Sequence, residues 1–291
     1  MTDGARYAIG MHSDLISTQA LEERLGSVNL VILDASGHLP AAGRDPKAEF
    51  DAEHIPGAQF LDLKTLIDTG SSVPQALPTA NQLADRLAAL GVHADSHIVL
   101  YDDSAVKTSA RVWFALVSSG IASVAILDGG FANWRAEGRP TESSVPPRHA
   151  SQPQSLNTRS RVRTKVNMLA NIQTGAEQVL DARGADRVYG TGIDPVHGGE
   201  NGRIPGSLNL PFGQVFDPDG TFKSPDDLRA VFEAAGIDLD RPIVTTCGSG
   251  VTASVLLFAL HLIGKHDTAL YDGSWMEWSA DPDTPKAQGP E

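Results

Sequence analysis

The sequence predicts an α/β fold in tandem, two domains each built as a mostly parallel sheet flanked by helices. Three observations carry that expectation. Four signatures occur twice in the same order: VILDASG from Val31, HIPGAQFLDL from His54, HIVLYDDSAVKTSARVWFAL from His97 and LDGGFANW from Leu127, then QVLDARG from Gln178, RIPGSLNLPF from Arg203, PIVTTCGSGVTASVLLFAL from Pro242 and LYDGSWMEW from Leu270. Within each half, short β-branched runs alternate with longer segments of helical period, the pattern of a parallel sheet with helical crossovers. Between the halves lies EGRPTESSVPPRHASQPQSLNTRSR, rich in Pro and Ser and without a period, which reads as a linker.

The elements follow from these periods. In the first domain, residues 1–140, Val31–Leu33 and Ile98–Leu100 are continuous apolar runs suited to central strands covered on both faces. Gln82–Leu90 and Arg111–Val117 carry apolar residues at helical spacing. Residues 141–160 form the linker, expected to run along the outside and tie the halves together. In the second domain, residues 161–291, Ile243–Thr245 is the corresponding central strand, and Pro225–Ala235 and Val251–Leu262 read as helices.

Composition bounds the function. The 291 residues, 41% of them hydrophobic, can supply two cores of ordinary size. No stretch approaches the ~18 consecutive apolar residues that span a bilayer, and the start MTDGARYAIGMHSD lacks the features of a secretory signal, so a soluble, cytoplasmic protein is expected. A formal charge of -13 opposes nonspecific attraction to nucleic acid and to anionic membranes. A single cysteine supports neither an internal disulfide nor a Cys-rich metal site, and no metal or organic cofactor is expected.

That cysteine, Cys247, stands where an extended apolar run ends and an apolar helix begins. The strand delivers it to the carboxyl edge of its sheet, where open α/β domains bind ligands. In the following GSGVT, Gly248 and Gly250 allow backbone angles and close approach that other residues resist, and the helix is expected to start near Thr252 or Ala253. Inward N–H groups and a helix N-terminus together favour negative charge, so the thiolate form is expected. The equivalent loop of the first half, YDDSAVKTSARVWF, has Asp102 in the cysteine's place and lacks both glycines. An acidic residue there repels a thiolate and an anionic substrate alike, which marks the first half as a noncatalytic scaffold.

Several thiol chemistries fit the sequence poorly. A cysteine phosphatase needs an arginine six residues after the thiol, and Ala253 is there. A CxxC oxidoreductase needs a second cysteine. A cysteine hydrolase needs a nearby base, for which His54 and His197 are the candidates. Transfer of one sulfur atom needs only one cysteine: the thiolate takes sulfur from a donor, becomes a persulfide, and passes the outer sulfur to an acceptor.

At the level of motifs the chain resembles the two-domain rhodanese family. LDASG from Leu33, HIPGA from His54 and LDGGFANW from Leu127 are similar to its first domain; LDARG from Leu180, GRIPGSLNLP from Gly202 and YDGSWMEW from Tyr271 are similar to its second. CGSGVTA from Cys247 resembles the loop of the 3-mercaptopyruvate sulfurtransferase branch, whereas the thiosulfate-preferring branch typically has basic residues where Gly248 and Ser249 stand. The resemblance implies tandem rhodanese-like domains and a Cys247 persulfide, with 3-mercaptopyruvate as donor. It also leaves open a thiosulfate:cyanide sulfurtransferase and a sulfur carrier without turnover. It implies a small anionic sulfur donor and a thiol, thioredoxin-like protein or cyanide as acceptor.

The same resemblance assigns the residues around the thiol. Arg187 matches the arginine that binds the donor carboxylate, and Gly248, Gly250, Val251 and Thr252 complete the loop, with Thr252 closing it or capping the helix. Ser249 donates a hydrogen bond to the substrate oxygen or the leaving enolate. A second arginine of the branch falls at Val196, beside His197, and is missing; Arg203, standing where the family has His before IPG, either compensates or braces that turn. A Ser–His–Asp relay proposed for eukaryotic members has His54 and Asp45 as counterparts here, although His54 reads equally well as a turn residue and Asp45 as a solvated one. Asp181 and Arg183 either buttress the loop or pair with each other. Asp272 and Trp275 border the pocket in this reading, while Trp134, Trp275 and Trp278 serve by default as packing residues.

Overall fold

The structure, a computed structural model, describes residues 14–143, 150–157 and 161–289. The first thirteen residues, and positions 144–149 and 158–160 of the expected linker, lie outside the described residues. The chain divides into two compact units. The first is Met1–Ile67, Pro78–Thr158 and Phe216–Ser224; the second is Asp68–Leu77, Arg159–Val215 and Pro225–Glu291. Two short segments therefore depart from a strictly sequential division. Each is pinned through a carboxylate: Asp272 accepts from the Leu77 amide at 2.8 Å in the second unit, and Asp128 accepts from the Phe222 amide at 2.8 Å in the first.

The first unit contains strands β1 (Leu15–Ile16), β2 (Leu30–Asp34), β3 (Gln59–Phe60), β4 (His97–Tyr101) and β5 (Val124–Leu127), with helices α1 (Thr18–Glu22), α2 (Pro46–Ala52), α3 (Ala80–Ala89), α4 (Ser109–Ser118) and α5 (Gly130–Ala136). Its sheet order is β1-β5-β4-β2-β3, every pairing parallel. The second unit contains β6 (Val162–Arg163), β7 (Gln178–Asp181), β8 (Leu208–Asn209), β9 (Ile243–Thr246) and β10 (Thr268–Tyr271), with α6 (Lys165–Thr174), α7 (Ala185–Tyr189), α8 (Pro225–Ala234), α9 (Val251–Leu262) and α10 (Ser274–Ala280). Its order, β6-β10-β9-β7-β8, is the first order shifted by five, again all parallel.

The continuous apolar runs became fully buried strands, because helices cover both faces of a parallel sheet. One layer of the first unit packs Ile32, Val99, Leu127, Phe50 and Trp134 together; the second unit matches it with Val179, Val244, Ala269, Tyr271, Trp275 and Trp278. Helix α9 buries every residue from Ala253 to Leu260, as its near-continuous apolar sequence requires. Boundaries follow capping chemistry. Thr79 and Gln82 exchange hydrogen bonds in a capping box that starts α3 two residues before the apolar period begins, and Asp45 accepts from the Lys47 and Ala48 amides to start α2.

The described part of the linker lies on the first unit. Glu142 pairs its backbone with His54, the Ser151 amide donates to the Ala88 carbonyl at 2.9 Å, and the Asn157 amide donates to Ser119 at 3.0 Å. Among the described residues no helix is long and apolar enough to cross a membrane.

Candidate functional site

Parallel pairing fixes what meets at the carboxyl edge of the second sheet. Asp181 at the end of β7 is in register with Thr246 at the end of β9, and the Ala182 amide donates to the Thr246 carbonyl at 2.9 Å. Cys247, Arg183 and the turn after β10 therefore converge. The Cys247 carbonyl accepts from the Trp275 amide at 2.9 Å and the Gly248 carbonyl from the Met276 amide at 3.0 Å. The Cys247 amide does not turn inward: it donates to Ser274 Oγ at 3.3 Å, and that hydroxyl in turn donates to the Tyr271 carbonyl at 2.9 Å.

The loop closes on the sulfur. The Gly250 amide donates to Cys247 Sγ at 3.1 Å. Gly250 has φ +80°, a left-handed conformation that turns the chain so sharply that Val251 is already helical. Helix α9 therefore starts one to two residues earlier than the sequence suggests, and Gly250 is its N-cap, without a side-chain bond. Thr252 is not the cap; it lies inside the first turn, half-buried like Ser249 and Val251. Cys247 is only 2% exposed.

Gly248 serves close approach instead. A Cβ there would collide with Nε2 and Cδ2 of His197, whose imidazole packs close against the loop backbone. Burial lowers the His197 pKa below the ordinary value, Arg187 and Arg183 add to the effect, and Asp194 opposes it, so the surroundings favour the neutral ring.

Arg187 projects from the short helix α7 into a pair with Asp194. Nε lies 3.0 Å from Oδ1 and Nη2 2.6 Å from Oδ2, a two-pronged contact. The Asp194 carboxylate is fully buried. Burial alone would raise its pKa, but the Arg187 contacts and the Val196 and His197 amides outweigh that and hold it below the usual carboxylate range. Asp194 gave little sign of itself in the sequence beyond the Asp-Pro turn signal. Ser274 was likewise missed, although it braces the Cys247 amide.

Asp181 and Arg183 form a buried pair, Nη2 to Oδ2 2.7 Å, and Arg183 also donates to the Gly202 carbonyl at 2.7 Å and stacks over Trp275 at 4.6 Å. Trp275 Nε1 donates to the Glu200 carbonyl at 2.7 Å. Trp134 and Trp278 are packing residues whose Nε1 groups reach Pro140 and Pro285 carbonyls at 2.8 Å each. Arg203 is buried, pairs its backbone with Ala287 and stacks over Tyr189 at 5.7 Å, so it braces the C-terminal segment. Val196, where the second arginine would fall, is exposed.

His54 and Asp45 belong to the first unit. His54 is completely buried, stacked on Phe50 at 4.0 Å, with Nδ1 2.6 Å from the Phe50 carbonyl. Asp45 spends its carboxylate on the α2 cap. Each has a structural task of its own.

Known proteins share this architecture. The chain is 40% identical over 262 residues to the 3-mercaptopyruvate sulfurtransferase of Rattus norvegicus, covering 89% of this chain and 88% of that one. It is 39% identical over 289 residues to the thiosulfate sulfurtransferase of Bos taurus, covering 96% and 97%. Among solved structures, the 3-mercaptopyruvate sulfotransferase SseA of Escherichia coli superposes with a TM-score of 0.82 at 31% identity, covering 90% of this chain and 99% of that one. The Tum1 protein of Saccharomyces cerevisiae gives 0.87 at 29%, covering 97% and 100%. The rhodanese-like domain model matches residues 17–137 and again 164–281, and the chain belongs to that family as a tandem of two such domains.

Proposed function

We propose that the protein is a sulfurtransferase that works through a persulfide on Cys247 and takes its sulfur from 3-mercaptopyruvate. The observation that carries the reading is the Gly250 amide aimed at the sulfur from 3.1 Å, at the N-terminus of a twelve-residue helix. Both features stabilise negative charge on sulfur, whether on a thiolate or on the outer atom of a persulfide.

The atoms balance with one cysteine. The Cys247 thiolate attacks the donor sulfur, an S–S bond forms, the donor C–S bond breaks, and the electron pair leaves as the enolate of pyruvate, which takes a proton at carbon. An acceptor thiolate or cyanide then attacks the outer sulfur and restores the Cys247 thiolate. Ser249, half-buried beside the thiol, is the donor we assign to the enolate oxygen. Arg187 is assigned to the donor carboxylate. Thiosulfate is the second reading, supported by the near-equal identity to thiosulfate sulfurtransferases. Against it stands the loop itself, because a compact dianion benefits from basic side chains where Gly248 and Ser249 stand.

Mass spectrometry of the intact chain after mixing with each donor tests the reaction. A gain of one sulfur atom, absent in Cys247→Ser, is expected, with repeated turnover once an acceptor thiol is added. No gain from either donor refutes the enzyme; a gain without turnover leaves a carrier.

A further inference from the structure

Cys247 is nearly closed to solvent, so a donor needs a way in, and the second unit suggests one. Asp194 does two things with one carboxylate. Oδ1 and Oδ2 fill the Arg187 fork, and Oδ1 also accepts the amides of Val196 at 2.8 Å and His197 at 3.3 Å. The second set of bonds fixes the backbone that lays the His197 ring on Gly248, directly beside the thiol in sequence. Arg187, His197 and the cysteine loop are thus joined through a single side chain.

We propose that Asp194 is an internal carboxylate that sets donor specificity: it occupies the Arg187 fork until a donor's own carboxylate displaces it, and the exchange releases the Val196 and His197 amides and withdraws His197 from the Cys247 loop. The inference rests on the assignment of Arg187 to the donor carboxylate. Three further observations support it.

The exchange replaces one carboxylate by another, so the half-buried arginine is never left unpaired, the costly outcome. Arg183 offers more: its Nη1 is buried without a hydrogen bond and lies 3.7 Å from Asp194 Oδ2, a spare donor for a carboxylate that sits slightly deeper. The segment around Asp194 also has little apolar packing to hold it in place. Ile193 is 67% exposed and Val196 39%, and Gly192 at φ +91° and Gly198 at φ +74° flank the aspartate as ready hinges. A donor lacking a carboxylate, such as thiosulfate, matches the planar fork less well and opens the site less.

Labelling the full chain with neutral iodoacetamide tests the cover without any sulfur chemistry, because Cys247 is the sole cysteine. In the absence of donor, Asp194→Asn and His197→Ala are each expected to label about fivefold faster than the parent, the shift that a change of roughly 1 kcal/mol in a closed population produces. Equal rates overturn the proposal even if the persulfide forms, and faster labelling supports it even if the persulfide does not. His197→Ala leaves the Arg187 pair untouched and decides the matter should Asp194→Asn fail to fold. With 3-mercaptopyruvate, Asp194→Asn is expected to lower KM severalfold, since no internal carboxylate then competes for the Arg187 fork. A raised KM would mean that Asp194 only orients Arg187, and the displacement idea falls.

Discussion

Cys247 and Asp102 occupy the same place in their respective units. Each follows the last residue of a central strand, and its carbonyl accepts an amide from the helix after the next strand: Trp275 to Cys247 at 2.9 Å, Phe131 to Asp102 at 3.0 Å. The side chains then diverge. The Cys247 sulfur takes the Gly250 amide, whereas the Asp102 carboxylate takes those of Ser104 at 2.9 Å and Ser109 at 2.8 Å. One loop presents the thiol proposed as nucleophile, and the other commits its acid to holding itself together. Cys247→Ser should therefore abolish sulfur uptake with little change in stability. Asp102→Ala should keep sulfur uptake yet destabilise the first unit by roughly 1–3 kcal/mol, because two buried amides lose their acceptor. Intact mass and urea unfolding read the two effects separately.

Arg187→Lys tests the carboxylate fork. A lysine keeps the charge but cannot make two parallel hydrogen bonds. The KM for 3-mercaptopyruvate should rise about tenfold, equivalent to 1.4 kcal/mol, with a smaller change in kcat. Unchanged KM would remove Arg187 from the donor site.

Ser249→Lys tests donor choice. Adding one cation beside the loop should raise kcat/KM for thiosulfate about fivefold or more, an effect worth about 1 kcal/mol at a partly exposed site. Gly248 is the wrong place for the same experiment, since any side chain there meets His197. If the lysine leaves thiosulfate turnover unchanged, loop charge is not what separates the two donors.

Much of this was legible in the sequence. The runs around Val31, Ile98 and Ile243 show no polar alternation, and alternating with segments of helical period they fit strands of a parallel sheet covered on both faces. The cysteine's position was legible because a strand, a Gly-Ser-Gly turn and an apolar helix follow one another directly in the chain. Asp194 was not, because its importance lies in a contact with Arg187 seven residues away, across an irregular segment with no period. Gly248 shows the same limit: the glycine is visible, but the imidazole that demands it is not. The segments Asp68–Leu77 and Phe216–Ser224 escaped for a related reason, since their contacts, among them the Leu77 amide on Asp272 and the Phe222 amide on Asp128, are made far away in sequence by short stretches without a period.

Asp34, which ends β2 as Asp181 ends β7, gives a pH dependence of its own. Asp181 pairs with Arg183, but position 36 in the first unit is Ser36, whose amide donates to Asp34 at 2.8 Å without neutralising it. Burial raises the Asp34 pKa from 3.8 to about 6, the Ser36 hydrogen bonds oppose the rise, and the nearby Asp102 charge adds to it. Between those two values the folded chain binds more protons than the unfolded one, so this group's contribution to stability falls as pH rises and its full cost is present above about pH 6. Asp34→Asn keeps the Oδ1 acceptor and removes the charge. It should flatten the decline between about pH 4 and pH 6 and stabilise the first unit at neutral pH by up to about 3 kcal/mol, the equivalent of a two-unit shift. Urea midpoints of parent and variant, measured across that range, check the sign: a variant less stable than the parent at neutral pH would show that the charged carboxylate is needed where it stands.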